Sequence, residues 1–219
     1  YIDCFSEQVA KPEELAIRIA DRHFGVGGDG LILICPSEIA PVRMRMFNAD
    51  GSEGKMCGNG ARCVARYAYD HGLVTSRSFD IETGAGIRHA EVGESLVTID
   101  MGEAVLDGEL EEAITVDGKA THMTPVNVGN PHAVYPVDSL ETLRGLDLEK
   151  IGPAYEHHPR FPEGVNSEFL YIESPTELHM RVYERGSGET LACGTGATAV
   201  AFAAMRLGRA AEKVTVHLL

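Results

Sequence analysis

One stretch of this chain occurs twice, and any fold proposed for it must accommodate both copies. Met44 to Gly72 (MRMFNADGSEGKMCGNGARCVARYAYDHG) aligns without a gap on Met180 to Gly208 (MRVYERGSGETLACGTGATAVAFAAMRLG) at a constant offset of 136 residues. Eleven of twenty-nine positions are identical, among them Arg45/Arg181, Glu53/Glu189, Cys57/Cys193, Gly58/Gly194, Gly60/Gly196 and Gly72/Gly208. Self-similarity at a fixed offset marks a duplicated unit. The expectation is two copies of one half, with the boundary in the acidic, aperiodic stretch from Gly102 to Glu112, giving halves 1–107 and 108–219.

Both copies run in the same order. An alternating segment (Val42 to Asn48; Leu178 to Glu184) predicts a strand, and a Gly-rich turn follows. Cys-Gly-x-Gly then opens an Ala-rich helix that Gly72 or Gly208 closes. Cys57 and Cys193 are thereby each placed at a helix N-terminus. There the unpaired N–H groups and the macrodipole favour a thiolate, and the flanking glycines let a carboxylate approach the backbone. A single cysteine before a helix is usually a small buried apolar residue. Two at matched positions, each framed by glycine, point instead to paired acid–base groups. One thiolate would remove the α-proton of an amino acid and the opposite thiol would return a proton to the other face, while helix-start amides stabilise the charge developing on the carboxylate. The scheme needs no cofactor.

Composition narrows the partners. A net charge of −14 argues against nucleic acid and anionic membrane. Five cysteines do not read as a secreted disulfide framework and fit a reduced, cytoplasmic setting. No apolar run approaches the ~20 residues of a membrane span, and no signal-peptide pattern is present.

Along the chain, Tyr1 to Cys4 predicts a short strand, and Pro12 opens a helix reaching Phe24, with Leu15, Ile19 and Phe24 on one face. Gly25 to Gly30 precedes the strand Leu31 to Cys35. This order, helix then glycines then strand, is the reverse of a dinucleotide-binding turn. Cys35 is expected in the core and Cys63 in helix packing. Strands follow at 78–83, 87–92 and 95–101, with turns at Gly93-Glu94 and at Asp117-Gly118 between Ile114 and Met123. Asn130-Pro131-His132 interrupts a strand over 126–135, and His132 becomes a candidate thiol neighbour. A helix is expected over 146–158, weakened by Gly152-Pro153. His157-His158 lacks a third metal ligand at a recognisable spacing. Strands 167–173 and 177–183 pair through Ser174-Pro175, and another strand begins at Lys213.

Four motifs then converge: Phe47-Asn48-Ala-Asp-Gly-Ser-Glu, Met56-Cys57-Gly-Asn-Gly-Ala-Arg-Cys63, Gly129-Asn-Pro-His132, and Glu184-Arg-Gly-Ser-Gly-Glu-Thr-Leu-Ala-Cys193-Gly-Thr-Gly-Ala197. With Arg160-Phe-Pro, Asn166, Phe169 and the Gly25–Gly30 loop, they closely resemble diaminopimelate epimerase over nearly the whole chain. The resemblance implies an α/β (α+β) fold of two pseudo-symmetric domains. Each would be a curved, mainly antiparallel sheet wrapped around a central helix, with the active site in the interdomain cleft. It implies a PLP-independent isomerase interconverting LL- and meso-2,6-diaminopimelate, on the route to lysine and peptidoglycan. Carried over by position, Cys57 and Cys193 would be the acid–base pair, with His132 and Glu184 tuning them. Gly58, Asn59, Gly194 and Thr195 would surround the reacting carboxylate. Asn48, Asn130, Asn166, Glu184 and Arg185 would recognise the polar groups of the substrate. No metal and no cofactor is implied, and a homodimer is compatible with the sequence.

The family opens with a strand and a Gly-Asn-Asp-Phe-like motif upstream of Tyr1 and continues several tens of residues past Leu219. The expectation is a trimmed chain whose own activity is incomplete. Proline or hydroxyproline racemases share the paired cysteines, but there a His commonly follows the first Cys-Gly, where this chain has Asn59. Isomerases of the phenazine pathway lack the cysteine pair. A non-catalytic amino-acid binder and a redox sensor bridging Cys57 to Cys193 are alternatives of another class. Reversible oxidative inactivation is expected as a side property.

Overall fold

The structure is a computed structural model that describes residues 1–218. It resolves into two compact units, the first Tyr1–Gly102 and the second from Glu103 on. Both mix strands and helices, as the α/β expectation has it.

The first unit contains β1 (Ile2–Asp3), α1 (Pro12–Ala20), β2 (Gly30–Cys35), β3 (Val42–Asn48), β4 (Glu53–Gly54), α2 (Gly58–Asp70), β5 (Ser78–Thr83), β6 (Gly86–Val92) and β7 (Val97–Ile99). Its sheet runs β1-β2-β3-β5-β6-β7, with β4 added to β3. The pairings β1–β2 and β3–β5 are parallel and the others antiparallel. One sheet face carries α2, whose small residues Ala61, Val64, Ala65 and Ala68 have no exposed surface and pack with Ile34, Met44, Ile81 and Ala90. The other face carries α1, where Ala16 meets Leu31, Leu33 and Phe47. Small side chains every third or fourth position let α2 lie close to the sheet.

The second unit contains β8 (Val105–Leu106), β9 (Glu112–Val116), β10 (Lys119–Asn127), β11 (Pro131–Pro136), α3 (Leu140–Gly145), α4 (Leu148–Glu156), β12 (Asn166–Ser174), β13 (Glu177–Glu184), β14 (Gly188–Thr190), α5 (Gly194–Arg206) and β15 (Thr215–His217). Its sheet runs β14-β13-β12-β11-β10-β8, with β15 on β13 and β9 on β10. Here α5 covers one face, against β10 to β13. Helices α3 and α4 cover the other, through Leu143, Leu148, Tyr135, Phe169 and Tyr183.

The duplication extends to strand register. Leu31 pairs with Phe47 and Ile32 with Met46 across β2–β3. At the same offset of 136, Ser167 pairs with Tyr183 and Glu168 with Val182 across β12–β13. Both helices end as the glycines suggested, with Gly72 and Gly208 at φ of 71° and 69°, the left-handed region that closes a helix without a Cβ penalty.

Several expectations are corrected. Helix α1 stops at Ala20 because the Asp21 carboxylate accepts the N–H groups of His23 and Phe24 (2.7 and 2.8 Å), a side-chain turn that competes with helix. Phe24 is 94% exposed and shares no face with Leu15. The helix expected over 146–158 is α4, which Asp147 caps through the Lys150 N–H; what the sequence did not suggest is the separate short α3 before it, ended at the extended Leu146. Pro153 is tolerated within the short α4. Cys35 is half-buried beside Cys4 rather than in the core, and Cys63 is exposed. His158 accepts the Arg160 N–H at Nδ1 and donates from Nε2 to Thr115 O. Among the described residues no cluster could hold a metal, and no helix is long and apolar enough to cross a membrane.

Candidate active site

Cys57 and Cys193 occupy the same place in their units. Each is the N-cap of its helix, in extended conformation (φ −137°, ψ 110°; φ −126°, ψ 113°). Each sulfur accepts the N–H three residues on, Gly60 or Gly196, at 3.3 Å. An extended residue before a helix points its side chain back at the open amides, the geometry of a serine cap with sulfur in place of oxygen. Gly58 and Asn59, like Gly194 and Thr195, stand at the first two helical positions, where no carbonyl of the helix can reach their amides. Glycine at the third position of α5 lets the helix start lie against the residues beneath it: a Cβ on Gly196 would lie 2.9 Å from Glu168 Oε1 and 3.2 Å from Met180 Cε.

In the first unit Cys57 is half-buried. Asn59 Oδ1 accepts from the Arg62 guanidinium. Asn48 ends β3 and folds over the next turn, donating from Nδ2 to Ser52 Oγ at 3.0 Å. Beneath the helix start lies Ile32, whose Cδ1 would be 2.4 Å from a Cβ on Gly60.

The second unit is more deeply enclosed, with Cys193 only 5% exposed. Its sulfur also contacts Thr195 Oγ1 at 3.3 Å. Asn130 Nδ2 donates to Thr195 Oγ1 at 3.5 Å, and Asn130 Oδ1 accepts from His132 Nε2 at 3.0 Å. His132 Nδ1 meets Glu168 Oε1 at 2.6 Å, and both of these side chains have no exposed surface. The structure therefore brings together Cys193, Thr195, Asn130 and His132, all expected at the site, and adds Glu168. Burial pushes the Glu168 carboxyl above its ordinary value, against the pull of the His132 imidazole. Burial also pushes the Cys193 thiol up, helped by the carboxylates of Glu184 and Glu168; the Thr195 hydroxyl and Gly196 amide oppose this without overcoming it. The expected thiolate preference is thus overturned at Cys193, because desolvation outweighs one amide bond.

Glu184 ends β13 opposite Gly188 and accepts the Thr190 hydroxyl. Asn166 is buried, and its amide ties two segments: Nδ2 donates to Pro131 O (2.9 Å) and Oδ1 accepts the Arg185 N–H (3.0 Å). Asn166 therefore shapes the turn that presents Arg185, whose exposed guanidinium donates to Glu163 O at 3.3 Å. Glu168 was missed in the sequence reading. The signal available was a charged residue inside a strand, on the parity of Leu170, with a histidine required nearby.

A sequence model of the family described as diaminopimelate epimerase matches residues 1–107 and 124–219. The chain is 50% identical to the diaminopimelate epimerase of Geobacillus thermodenitrificans, over all of this chain and 81% of that protein. It is 48% identical to that of Acetivibrio thermocellus, over all of this chain and 83% of its relative. Among solved structures, a probable proline racemase from Agrobacterium radiobacter K84 superposes with a TM-score of 0.72 at 19% identity, covering 94% of this chain and 68% of that one. A Bacillus anthracis phenazine biosynthesis protein of the PhzF family gives 0.63 at 21% identity, covering 90% and 71%. These two share the fold alone. Identity near one half across the whole chain, together with the matched cysteine caps, assigns this chain to the diaminopimelate epimerase family.

Proposed function

We propose that the chain interconverts LL- and meso-2,6-diaminopimelate by two-thiol proton transfer at one α-carbon, supplying precursors of lysine and peptidoglycan. The observation that carries this reading is the matched pair of cysteine caps, each with its sulfur 3.3 Å from a helix-start amide. The deprotonated thiol of one cysteine takes the α-proton, and the electron pair left on carbon delocalises into the carboxylate. Helix-start amides at Gly58, Asn59, Gly194 and Thr195 receive that charge. The protonated thiol of the other cysteine then delivers its proton to the opposite face, and the two sulfurs exchange protonation states. Cys193, whose thiol is pushed toward its protonated form chiefly by burial, suits the proton-donor role in the resting enzyme. Glu184 and His132 tune that thiol. Asn48, Asn130, Asn166 and Arg185 supply the amide and guanidinium chemistry that recognises an amino acid's ammonium and carboxylate groups.

Proline racemisation would use a similar thiol pair on this fold, but the identity to diaminopimelate epimerases favours the acyclic substrate. Five cysteines, an odd number, and an acidic chain fit a cytoplasmic enzyme, and a homodimer is the assembly to look for by light scattering.

Proton NMR in D₂O under reducing conditions, with no cofactor added, tests the reaction. Loss of the α-proton signal from LL-diaminopimelate, with proline and hydroxyproline unchanged, is the expected result. Exchange of proline instead would overturn the substrate assignment, and binding of diaminopimelate without exchange would overturn the chemistry.

A further inference from the structure

The register repeat places Ile32 and Glu168 at equivalent positions, each beneath the start of the cysteine-capped helix of its unit. Under Cys57 the residue is apolar. Under Cys193 it is a glutamate with no exposed surface, and its Oε2 has no hydrogen-bond partner among the described residues. An unsatisfied buried carboxylate oxygen costs stability, and the other half of the same molecule shows that an aliphatic side chain fits this place. Folding alone does not account for Glu168.

The hydrogen bonds indicate what it does. Asn130 Oδ1 can only accept, so His132 Nε2 must carry a proton. At the other ring nitrogen a single proton lies between Nδ1 and Glu168 Oε1, 2.6 Å apart. With Oδ1 held toward the imidazole, Asn130 presents Nδ2 to Thr195 Oγ1. The Thr195 oxygen then accepts, and its own O–H is left to point at the Cys193 sulfur, 3.3 Å away. Every bond in the chain has one donor direction, and that direction begins at the carboxyl group.

We propose that Glu168 is a positioning residue for the thiol chemistry: through His132, Asn130 and Thr195 it fixes the orientation of a hydrogen-bonded chain that ends on Cys193. This rests on the reading of Cys193 as an acid–base residue. Without a proton offered to Nδ1 by Glu168, the imidazole could carry its own proton at Nδ1 and leave Nε2 bare, its other neutral tautomer. The Asn130 amide would turn over, and the Thr195 hydroxyl would donate to Asn130 Oδ1 instead of to sulfur. A thiolate formed in turnover would lose a donor.

The test is a double-substitution cycle with a spectroscopic control. Glu168→Met keeps the approximate volume of the side chain and removes the carboxyl with its donor and acceptor; Thr195→Val keeps the shape and the backbone amide and removes the hydroxyl. Each is expected to lower kcat about tenfold, the loss that follows removal of one hydrogen bond to a charged group, with a smaller change in KM. The double variant is expected to be no slower than the slower single, because both remove the same bond to sulfur. Losses that multiply, or a Glu168→Met enzyme with unchanged kcat, would overturn the proposal. Nitrogen-15 NMR of the wild-type His132 ring reads the relay without any variant: a protonated Nε2 is expected, and a bare Nε2 would overturn it. Because that signal does not depend on turnover, a wild-type enzyme inert toward diaminopimelate would count against the proposed reaction, while the ring signal would still decide whether the relay exists.

Discussion

Arg181 Nε lies 2.7 Å from Glu189 Oε1, joining β13 to the short strand β14. At the offset of 136, Arg45 Nε lies 2.7 Å from Glu53 Oε1, joining β3 to β4. Both pairs are among the identities that first marked the repeat. They tie down the turn leading into each cysteine cap.

The two pairs differ in surroundings, and so in expected worth. The Arg181 side chain is 10% exposed and its Nη1 also donates to the carbonyls of Leu143, Arg144 and Leu146 at 2.9, 3.1 and 2.7 Å, closing the end of α3. Arg45 is about one-third exposed. Arg181→Met strands a half-buried carboxylate and several carbonyls and should destabilise by ~3 kcal/mol. Arg45→Met should cost less than ~1 kcal/mol. Urea titrations of the two variants check the order, and equal losses would contradict it.

Gly152 in α4 faces the Tyr183 ring, and a Cβ there would meet ring atoms at 2.2 to 2.6 Å. Alanine in a helix ordinarily gains about 1 kcal/mol over glycine, but a flat buried ring cannot yield by that much. Gly152→Ala is expected to destabilise by ~2 kcal/mol. Gly145, at the end of α3 with open space around it, is the matched control: Gly145→Ala should be neutral or stabilising. Thermal melts of the pair give the comparison.

What could be read from the sequence follows from its range. The two cysteine-capped helices and the β3 and β13 strands were legible because periodicity, glycine placement and the repeat all act within one stretch. The end of α1 was misplaced because the Asp21 side chain, a single local competitor, outweighed an apolar pattern reaching to Phe24. The short strands β4, β8 and β14 carry too few residues for a pattern and exist through their partners. At the site, the repeat pointed to Cys193 and the polar turn before it in the chain to His132, while Thr195 and Asn130 came from the family resemblance alone. Glu168 shows in the sequence only as a charged residue inside a strand, because its role depends on a strand pairing that places it beneath a distant helix. The same burial reversed the expected thiolate preference of Cys193, and no sequence pattern reports desolvation.

That reversal has a pH signature. The folded-state value of the Cys193 thiol is raised above the ordinary cysteine value of 9.0. The unfolded chain therefore releases this proton first as pH rises. The stabilisation is fully present below the unfolded value and is lost as pH climbs from about 9 toward the higher folded value. Wild-type protein should lose thermal stability above pH 9 more steeply than Cys193→Ser, whose hydroxyl does not titrate there. Since tyrosines also ionise in this range, the difference between the two melting curves is the measurement. Parallel curves from pH 7 to 10 would show that Cys193 is not held protonated by the fold.

Removing either thiol separates chemistry from folding. As an N-cap each cysteine contributes about 1 kcal/mol to its helix, so Cys57→Ala and Cys193→Ala should remain folded with slightly lower melting temperatures. Stereoinversion needs a base on one face of the carbon and an acid on the other, so each substitution should lower kcat by a thousandfold or more, about the scale of losing a general acid–base group. The double variant should be no slower than either single, because one missing thiol already breaks the exchange. A serine in either place keeps the cap while its hydroxyl is far too weak an acid at neutral pH, so Cys→Ser should restore the melting temperature but not the rate. If Cys57→Ala or Cys193→Ala epimerised at the wild-type rate, the two-thiol mechanism would be wrong. If both were inactive and unfolded, the serine variants would decide whether the caps or the chemistry had been lost.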